Sequence, residues 1–552
     1  MSVLLKRYSL LFVLFILLIP TFWSMLKPGI FSMHDFHLIR LFEFRKCIED
    51  LQIPCRWAPD AAFEYGQPMF NYYTQAPYVF GEIFHLLGFQ VIDTLKILFI
   101  LSLIFSAVSM YFLSRQIWKN DWAAILSALI YTYAPYRAVD VWVRGALPEA
   151  LSFIFFPLIT YFFNDFILTK KTRSLLLFTL SFAGLVLTHN LSALMYSIFL
   201  LFWGIYFITY QKAWKQVPKL IFAGLLSIGL SAFYILPVAT ETKLISLQQT
   251  TGGYYDFRNH FVSLYQLLIQ RYWGYGASLW GEDDRLSLSV GYIQWILPTL
   301  ILVIVIATRK IKKMGLFLAI FAVGWIMLFL THSRSAPLWE IANKPLSYVQ
   351  FPWRFLGSAV FAFALSCGAI SLLPIKRLYL ILTTASIAIV LILINLSFFK
   401  EDIWYYHKDS DEFTGSRWEF HVSSALSDFW PKTSKELPKS LAPKDPSILE
   451  GSGSARLLEK RSNRASYHLN IESKVAKVEF PIVYFPNWKV YSDNKELTSS
   501  PSGNLGLITT NIEKSEHLVN LKFENTGVRV LGNYISLFSS AAFAILIFKF
   551  RK

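Results

Sequence analysis

Long apolar stretches alternate with short polar junctions along almost the whole chain. The stretches fall at about 9–26, 93–114, 121–136, 150–168, 174–188, 191–210, 218–239, 290–308, 314–331, 354–373, 377–398 and 531–548. A helical crossing needs roughly 17–25 such residues, so the pattern predicts about twelve transmembrane helices. The shorter run 76–89 is predicted to lie on the membrane surface or to re-enter it. Counting it as a crossing would invert every later junction.

Charge sorts the junctions. Basic residues gather at Lys6 and Arg7, Arg115 and Lys119, Lys170 and Arg173, Lys212 and Lys219, Arg309 and Lys313, Lys376 and Arg377, and Lys549 and Lys552. The alternate junctions hold His34, Asp35, Asp140, Glu149, His189, Asn190, Asp256, His260, His332 and Glu340. Basic short loops mark the cytoplasmic face, which places both termini inside and the candidate chemistry outside. The first span resembles a signal peptide, but Pro20, Trp23 and Met25 stand where a small-residue cleavage site would be, so it is expected to remain.

Composition agrees: 55% hydrophobic and 16% charged describe a polytopic membrane protein rather than a soluble domain. The net charge of +16 lies mostly at cytoplasmic span ends, where it sets topology and meets anionic membrane lipid. Nucleic acid is therefore not an expected partner.

Three outer segments are long. The chain divides into a transmembrane module (1–399) with outer loops at 27–92 and 240–289, an outer linker region (400–455), an extracytoplasmic antiparallel β-sandwich (456–530), and a final helix with a basic cytoplasmic tail (531–552). The sandwich is read from period-2 alternation broken by turns such as Ser492-Asp493-Asn494. In the first loop, Leu38, Leu41, Phe42, Phe44, Ile48 and Leu51 form one side of an amphipathic helix, with Arg40, Glu43, Lys46 and Asp50 opposite. That helix is expected to lie in the interface plane with its polar side solvated. Loop 240–289, with its flexible Thr250 to Tyr255 stretch, is either a lid or an ordinary surface loop. Cys47 and Cys55 would stand about 12 Å apart on a continuous helix, too far for a disulfide unless the chain returns sharply at Pro54.

Candidate chemistry clusters on the outer ends. In His34-Asp35-Phe36-His37, Asp35 is a potential general base for an acceptor hydroxyl. The same residues would also make half of a divalent-metal site, or a plain helix start with Asp35 as cap. Arg144 and Glu149 open one span, His189 and Asn190 end another, and Arg354 opens a third. A lone cation at such a position is commonly a snorkelling anchor; four such places on one face point to a site.

One span, then a long outer loop with an acidic residue near its start, an amphipathic helix and Gly66-Gln67-Pro68-Met69-Phe70-Asn71-Tyr72-Tyr73, resembles the GT-C membrane glycosyltransferase superfamily. More narrowly, Arg144 to Glu149, Thr188-His189-Asn190, Phe351-Pro352-Trp353-Arg354-Phe355 and the outer stretch Tyr484 to Tyr491 resemble bacterial membrane proteins labelled 6-pyruvoyl-tetrahydropterin synthase-related and the YfhO-like family. The pterin label finds no soluble pterin-enzyme core and no clear zinc triad here.

The resemblance implies a multi-pass protein of the inner cell membrane that transfers a sugar, with inversion, from a polyprenyl-phosphate donor on the outer face. The acceptor would be an envelope lipid, glycan or protein. It carries Asp35 onto the family's first-loop acid, the catalytic candidate. The substrate-binding candidates are His34, His37, Arg144, Glu149, His189, Asn190 and Arg354. A guanidinium suits a leaving phosphate, and Arg137, Arg258 and Arg271 stand in reserve to Arg144 and Arg354. The chain departs from the family in having a single first-loop Asp and no Asp-x-Asp pair, which leaves divalent-metal dependence open. The alternative is a non-catalytic transporter or assembly factor for lipid-linked glycans on the same scaffold.

Overall fold

The computed structural model describes residues 3–32, 35–246, 251–279, 284–308, 314–424 and 428–549; the side chains of residues 3–7, 35 and 308 fall outside this description. The protein is mostly helical, with a β-sheet region near its C-terminus. Six helices are long and apolar enough to cross a membrane: Val91–Trp118, Leu147–Thr169, Asn190–Tyr210, Pro352–Leu372, Arg377–Phe398 and Gly527–Lys549. Two bent pairs, Trp214–Leu230 with Ala232–Leu244 (76°) and Met314–Phe329 with Ser333–Ile341 (91°), raise the number to eight among the described residues. The other expected spans are occupied by shorter apolar helices, Tyr8–Thr21, Asp121–Thr132, Thr172–Thr188 and Tyr292–Ala307.

Local chemistry explains several boundaries. Val91–Trp118 ends on Lys119 in the left-handed conformation (φ 58°), and Asn120 then caps Asp121–Thr132, its side chain accepting from the amides of Trp122 and Ala123 at 3.0 Å. Lys170 ends Phe155–Thr169 in the same way. Two basic junctions are thus tight helix caps. Pro352–Leu372 is buried on all sides at the centre of the bundle, whereas Arg377–Phe398 and Gly527–Lys549 lie at its edge with apolar side chains exposed.

Residues 76–89 form an 11-residue helix, Ala76–Leu86, about 16 Å long at 1.5 Å per residue and too short to cross. Its inner side buries Tyr78 and Gly81; Val79, Phe80, Ile83 and Leu86 face outward.

The helix Asp35–Glu49 departs from expectation. Leu38, Leu41 and Phe44 are buried, but so are Arg40 and Glu43, and Asp50 accepts from Arg461 and from the Ser462 amide. The polar side is not solvated. Tyr73 and Asp428 lie against Arg40, the Asp60 amide donates to Glu43, and Phe42 stacks on Phe413 at 4.6 Å beside them. Beyond the helix the chain reverses through Leu51 (φ 58°), which brings the Cα atoms of Cys47 and Cys55 to 5.5 Å, and the two are joined in a disulfide. A continuous helix would have kept them apart; the return ahead of Pro54 meets the condition for pairing.

The C-terminal sheets are antiparallel. One has the order Ser447–Glu450, Val475–Val483, Leu507–Glu513, Ser500–Ser502; the other runs Gly453–Lys460, Arg464–Ile471, Glu516–Phe523, Trp488–Ser492, Lys495–Leu497. Alternate residues, Tyr467, Leu469, Val519 and Leu521 against Val478, Phe480, Ile508 and Ile512, build their shared core. Strands already begin at Ser447, inside the segment read as a linker, which also carries the helix Gly415–Ser423. The core continues into the first outer loop: Trp57 meets Trp488 edge-on at 5.3 Å. Gly66 (φ 77°) packs on the same indole, where a Cβ would come within 2.5 Å of Trp57 Nε1.

A buried polar node fixes this arrangement. Glu241 accepts from Arg529 Nε and Asn71 Nδ2, both at 2.9 Å, and from the Thr526 hydroxyl at 2.6 Å. Arg56 donates to Asn71 Oδ1 at 3.0 Å and to Asn533 Oδ1 at 2.8 Å. The first outer loop, the bent helix and the start of the last helix meet there.

Candidate functional site

One cavity is bordered by the segment 135–152. After Pro135–Ala138 the backbone widens into a π-turn, Val139–Val143, reverses at Gly145 (φ 55°) and re-enters a helix at Leu147. This gathers three ionisable groups spaced four and five residues apart. Arg144 donates to Asp140 and, at 2.8 Å, to Glu149 Oε2; Tyr136 donates to Glu149 Oε1 at 2.6 Å. The Arg144 guanidinium lies 4.7 Å from the centre of the Trp353 ring.

Arg354 reaches the same carboxylate from another element. It sits in the turn Pro352–Phe355, whose Pro352 suits a helix start. Its Nη1 donates to the carbonyl of Val349 at 2.9 Å and to Gln350 Oε1 at 3.2 Å, and its Nε stands 3.8 Å from Glu149 Oε2. Gln350 is held at φ 65°, a costly conformation for a residue with a side chain. His189, at the break between Thr172–Thr188 and Asn190–Tyr210, bonds through Nδ1 to the Ser192 hydroxyl at 2.6 Å; Ser152 links Ser192 to the carbonyl of Glu149.

These groups line a cavity of about 660 Å³. Arg144, Glu149, His189, Asn190 and Arg354 are brought together on its wall, with apolar surface from Leu191, Leu194, Val238 and Ile245. Tyr255, from the loop read as either a lid or an ordinary surface loop, also reaches it, as do Tyr72 and Tyr73 of the first loop. Cations and apolar surface side by side suit an amphiphile with an anionic head.

The remaining candidates fare differently. His37 does not line the cavity; its Nε2 faces the Leu147 amide at 3.3 Å and its Nδ1 the Tyr78 hydroxyl at 3.0 Å. That contact docks the first turn of Asp35–Glu49 beside the 144–149 turn. His34 and the Asp35 side chain lie outside the described residues. Arg137 is buried and donates to Ala150 O and Ser102 O, Arg258 pairs with Glu340 and Asp256, and Arg271 binds Ile394 O, so none of the three enters the cavity. Among the described residues, no group of three or more His, Cys, Asp or Glu side chains is arranged to hold a metal ion.

Sequence reasoning missed Tyr136, Asp140, Arg40 and Asp428. The i, i+4 spacing of Asp140 and Arg144 was a usable signal. Asp428 offered none: it follows a helix from the outer segment and reaches the cavity only through the fold, with Arg40 Nη2 at 3.8 Å. Burial raises its pKa above the usual carboxylate range, and Arg40 opposes that rise.

Fold and site together define a multi-pass helical membrane protein with a C-terminal sheet region and a cation-lined cavity. The chain belongs to the bacterial membrane protein YfhO family, whose model matches residues 68–426. A Lactococcus lactis subsp. cremoris (strain MG1363) protein described as uncharacterized is 21% identical over 251 residues, which are 43% of this chain. The match spans 41% of that relative's length. The cryo-EM structure of the arabinofuranosyltransferase AftD from Mycobacteria is similar over 73% of this chain and 28% of that one, with 16% identity and a TM-score of 0.44. A mutant of AftD gives 15% identity and a TM-score of 0.42 over 71% of this chain and 27% of that one. Likeness of that extent bears on neither activity nor substrate.

Proposed function

We propose that the protein is a glycosyltransferase that takes a sugar from a polyprenyl-phosphate donor and attaches it to an envelope lipid, glycan or protein on the outer face of the inner membrane. The observation that carries this reading is the convergence of Arg144 and Arg354 on Glu149 in the wall of a cavity with apolar surface beside it. The two guanidiniums would hold the donor phosphate, and Leu191, Leu194, Val238 and Ile245 would take the first isoprene units. Asp35 would act as base. The acceptor hydroxyl gives its proton to that carboxylate, its oxygen bonds to the anomeric carbon, and the bond from that carbon to the phosphate oxygen breaks with inversion. The electron pair stays on the phosphate, beside the guanidiniums. The docking of His37 at the 144–149 turn supports a place for Asp35 near that chemistry.

With the shorter apolar helices counted as crossings, the topology is the twelve-span one with both termini cytoplasmic, the sandwich outside and the divisions given above. Mass spectrometry of envelope glycolipids in a deletion strain, complemented with the wild-type protein or with Asp35→Asn, tests the reading. A missing glycan, restored by the wild-type protein and not by Asp35→Asn, supports it. Full restoration by Asp35→Asn removes the catalytic role and favours a carrier or assembly factor.

A further inference from the structure

Besides its cationic group, the cavity has a second polar group that the proposed chemistry leaves unused. Asp428 and Phe429 reach the wall from the outer segment, next to Tyr72 and Tyr73. Arg40, on the helix Asp35–Glu49, organises this corner: its Nη1 donates to the Tyr73 hydroxyl at 3.0 Å, its guanidinium carbon lies 4.0 Å from the centre of the Tyr73 ring, and Nη2 stands 3.8 Å from Asp428. Phe429 stacks on Tyr72 with centroids 6.0 Å apart and rings 13° from parallel. Tyr255 and the exposed Tyr348 add further aromatic surface to the lining.

The two groups select opposite chemistry. Arg144 and Arg354 attract an anion. As a carboxylate Asp428 only accepts hydrogen bonds and repels a phosphate. Arg40 is shared with Tyr73 and stands too far from Asp428 for a hydrogen bond, so the carboxylate oxygens keep capacity for another donor. Aromatic faces beside a lone acceptor suit a neutral ring or chain rich in hydroxyls, which offers C–H surface to the rings and O–H donors to the acid.

We propose that Asp428, Phe429 and Tyr73 form the binding site for the acceptor, and that the group bound there is a neutral polyol, a sugar ring or a glycerol unit, with Asp428 accepting from its hydroxyls. Arg40 is the positioning residue of this corner. The inference rests on the glycosyltransferase reading for the word acceptor, but the binding site stands on its own geometry.

Saturation-transfer NMR on the full chain in lipid nanodiscs, with glycerol and methyl glucopyranoside and galactopyranoside as probes, tests it. At least one probe should receive saturation from the wild-type protein. Asp428→Ala should weaken its binding about tenfold, the size of a lost hydrogen bond to a charged group, and Phe429→Ala should weaken it through lost ring contact. Asp428→Glu should restore part of it, a response that general loss of packing would not give. Undecaprenyl phosphate binding, measured on the same samples, should persist in Asp428→Ala, which also verifies the fold. Polyol signals that are absent from the wild-type protein, or equal in Asp428→Ala, overturn the proposal. Undecaprenyl phosphate that fails to bind the wild-type protein, with polyol signals intact, overturns the donor reading instead.

Discussion

Glu149 Oε2 accepts from Arg144 at 2.8 Å and faces Arg354 Nε at 3.8 Å, so one buried oxygen serves two arginines from turns far apart in the chain. Replacing that carboxylate leaves two cations close together with little solvent. Glu149→Gln should lower stability by about 3 kcal/mol, the lower end for breaking a buried charge pair, because Asp140 still faces Arg144. Thermal unfolding of the purified protein measures this, and an unchanged melting temperature would contradict the shared-carboxylate account.

Arg354→Lys keeps the charge and removes the planar fork. A lysine that kept Val349 O and Gln350 would have a single N–H left for a phosphate, without the bidentate fork. Undecaprenyl phosphate should bind about tenfold more weakly, a difference of about 1.4 kcal/mol. Equal affinity at normal expression would make Arg354 a plain anchor.

Much of the helical pattern was legible in the sequence, since several described helices are long apolar runs bounded by basic or capping residues such as Lys119 and Asn120, whereas the bend after Leu230 was not. The site was legible in part: Arg144, Glu149, His189, Asn190 and Arg354 were each visible as polar groups at span ends. That they share one cavity is a property of helix packing, which hydropathy does not encode. The polar side of Asp35–Glu49 misled because periodicity reports polarity, not what later covers it. Arg40 and Glu43 are polar and buried because Tyr73 and Asp428 lie against the first and the Asp60 segment against the second.

The Cys47–Cys55 disulfide closes a short loop in the first outer segment. Replacing both cysteines with alanine should cost about 2–3 kcal/mol. Alkylation before and after reduction, followed by mass measurement, should show the bond in protein from membranes. Free thiols at both positions in unreduced protein would place this loop in a reducing compartment.

Glu412 is fully buried and accepts from His421 at 2.8 Å, His407 at 2.6 Å and Arg417 at 2.7 Å. Burial pushes its pKa up, but those bonds outweigh it and hold the carboxyl at about 2. A depressed folded value means stability that is present above the unfolded value of 4.5 and is lost as the pH falls through about 2. The stability difference between the wild-type protein and Glu412→Gln should therefore be largest near neutral pH and shrink below 4.5. A difference that stays constant from pH 7 to pH 3, measured by thermal unfolding, would remove the linkage.

Reporter fusions after Lys119, Lys313 and Ser454 should read inside, inside and outside, as the sorting of basic junctions demands. An outside signal after Lys119 would mean that residues 76–89 do cross.

The Glu241 node sets an order on biosynthesis. Asn71 and Arg56 leave the ribosome early, yet their partner network closes only with Thr526, Arg529 and Asn533. At roughly 5–20 residues per second, the first loop waits on the order of half a minute or more for those residues. Through that interval Tyr72, which donates to the Glu241 carbonyl at 2.7 Å, rests on an unfinished network. The first-loop wall of the cavity is therefore braced only when the last helix arrives.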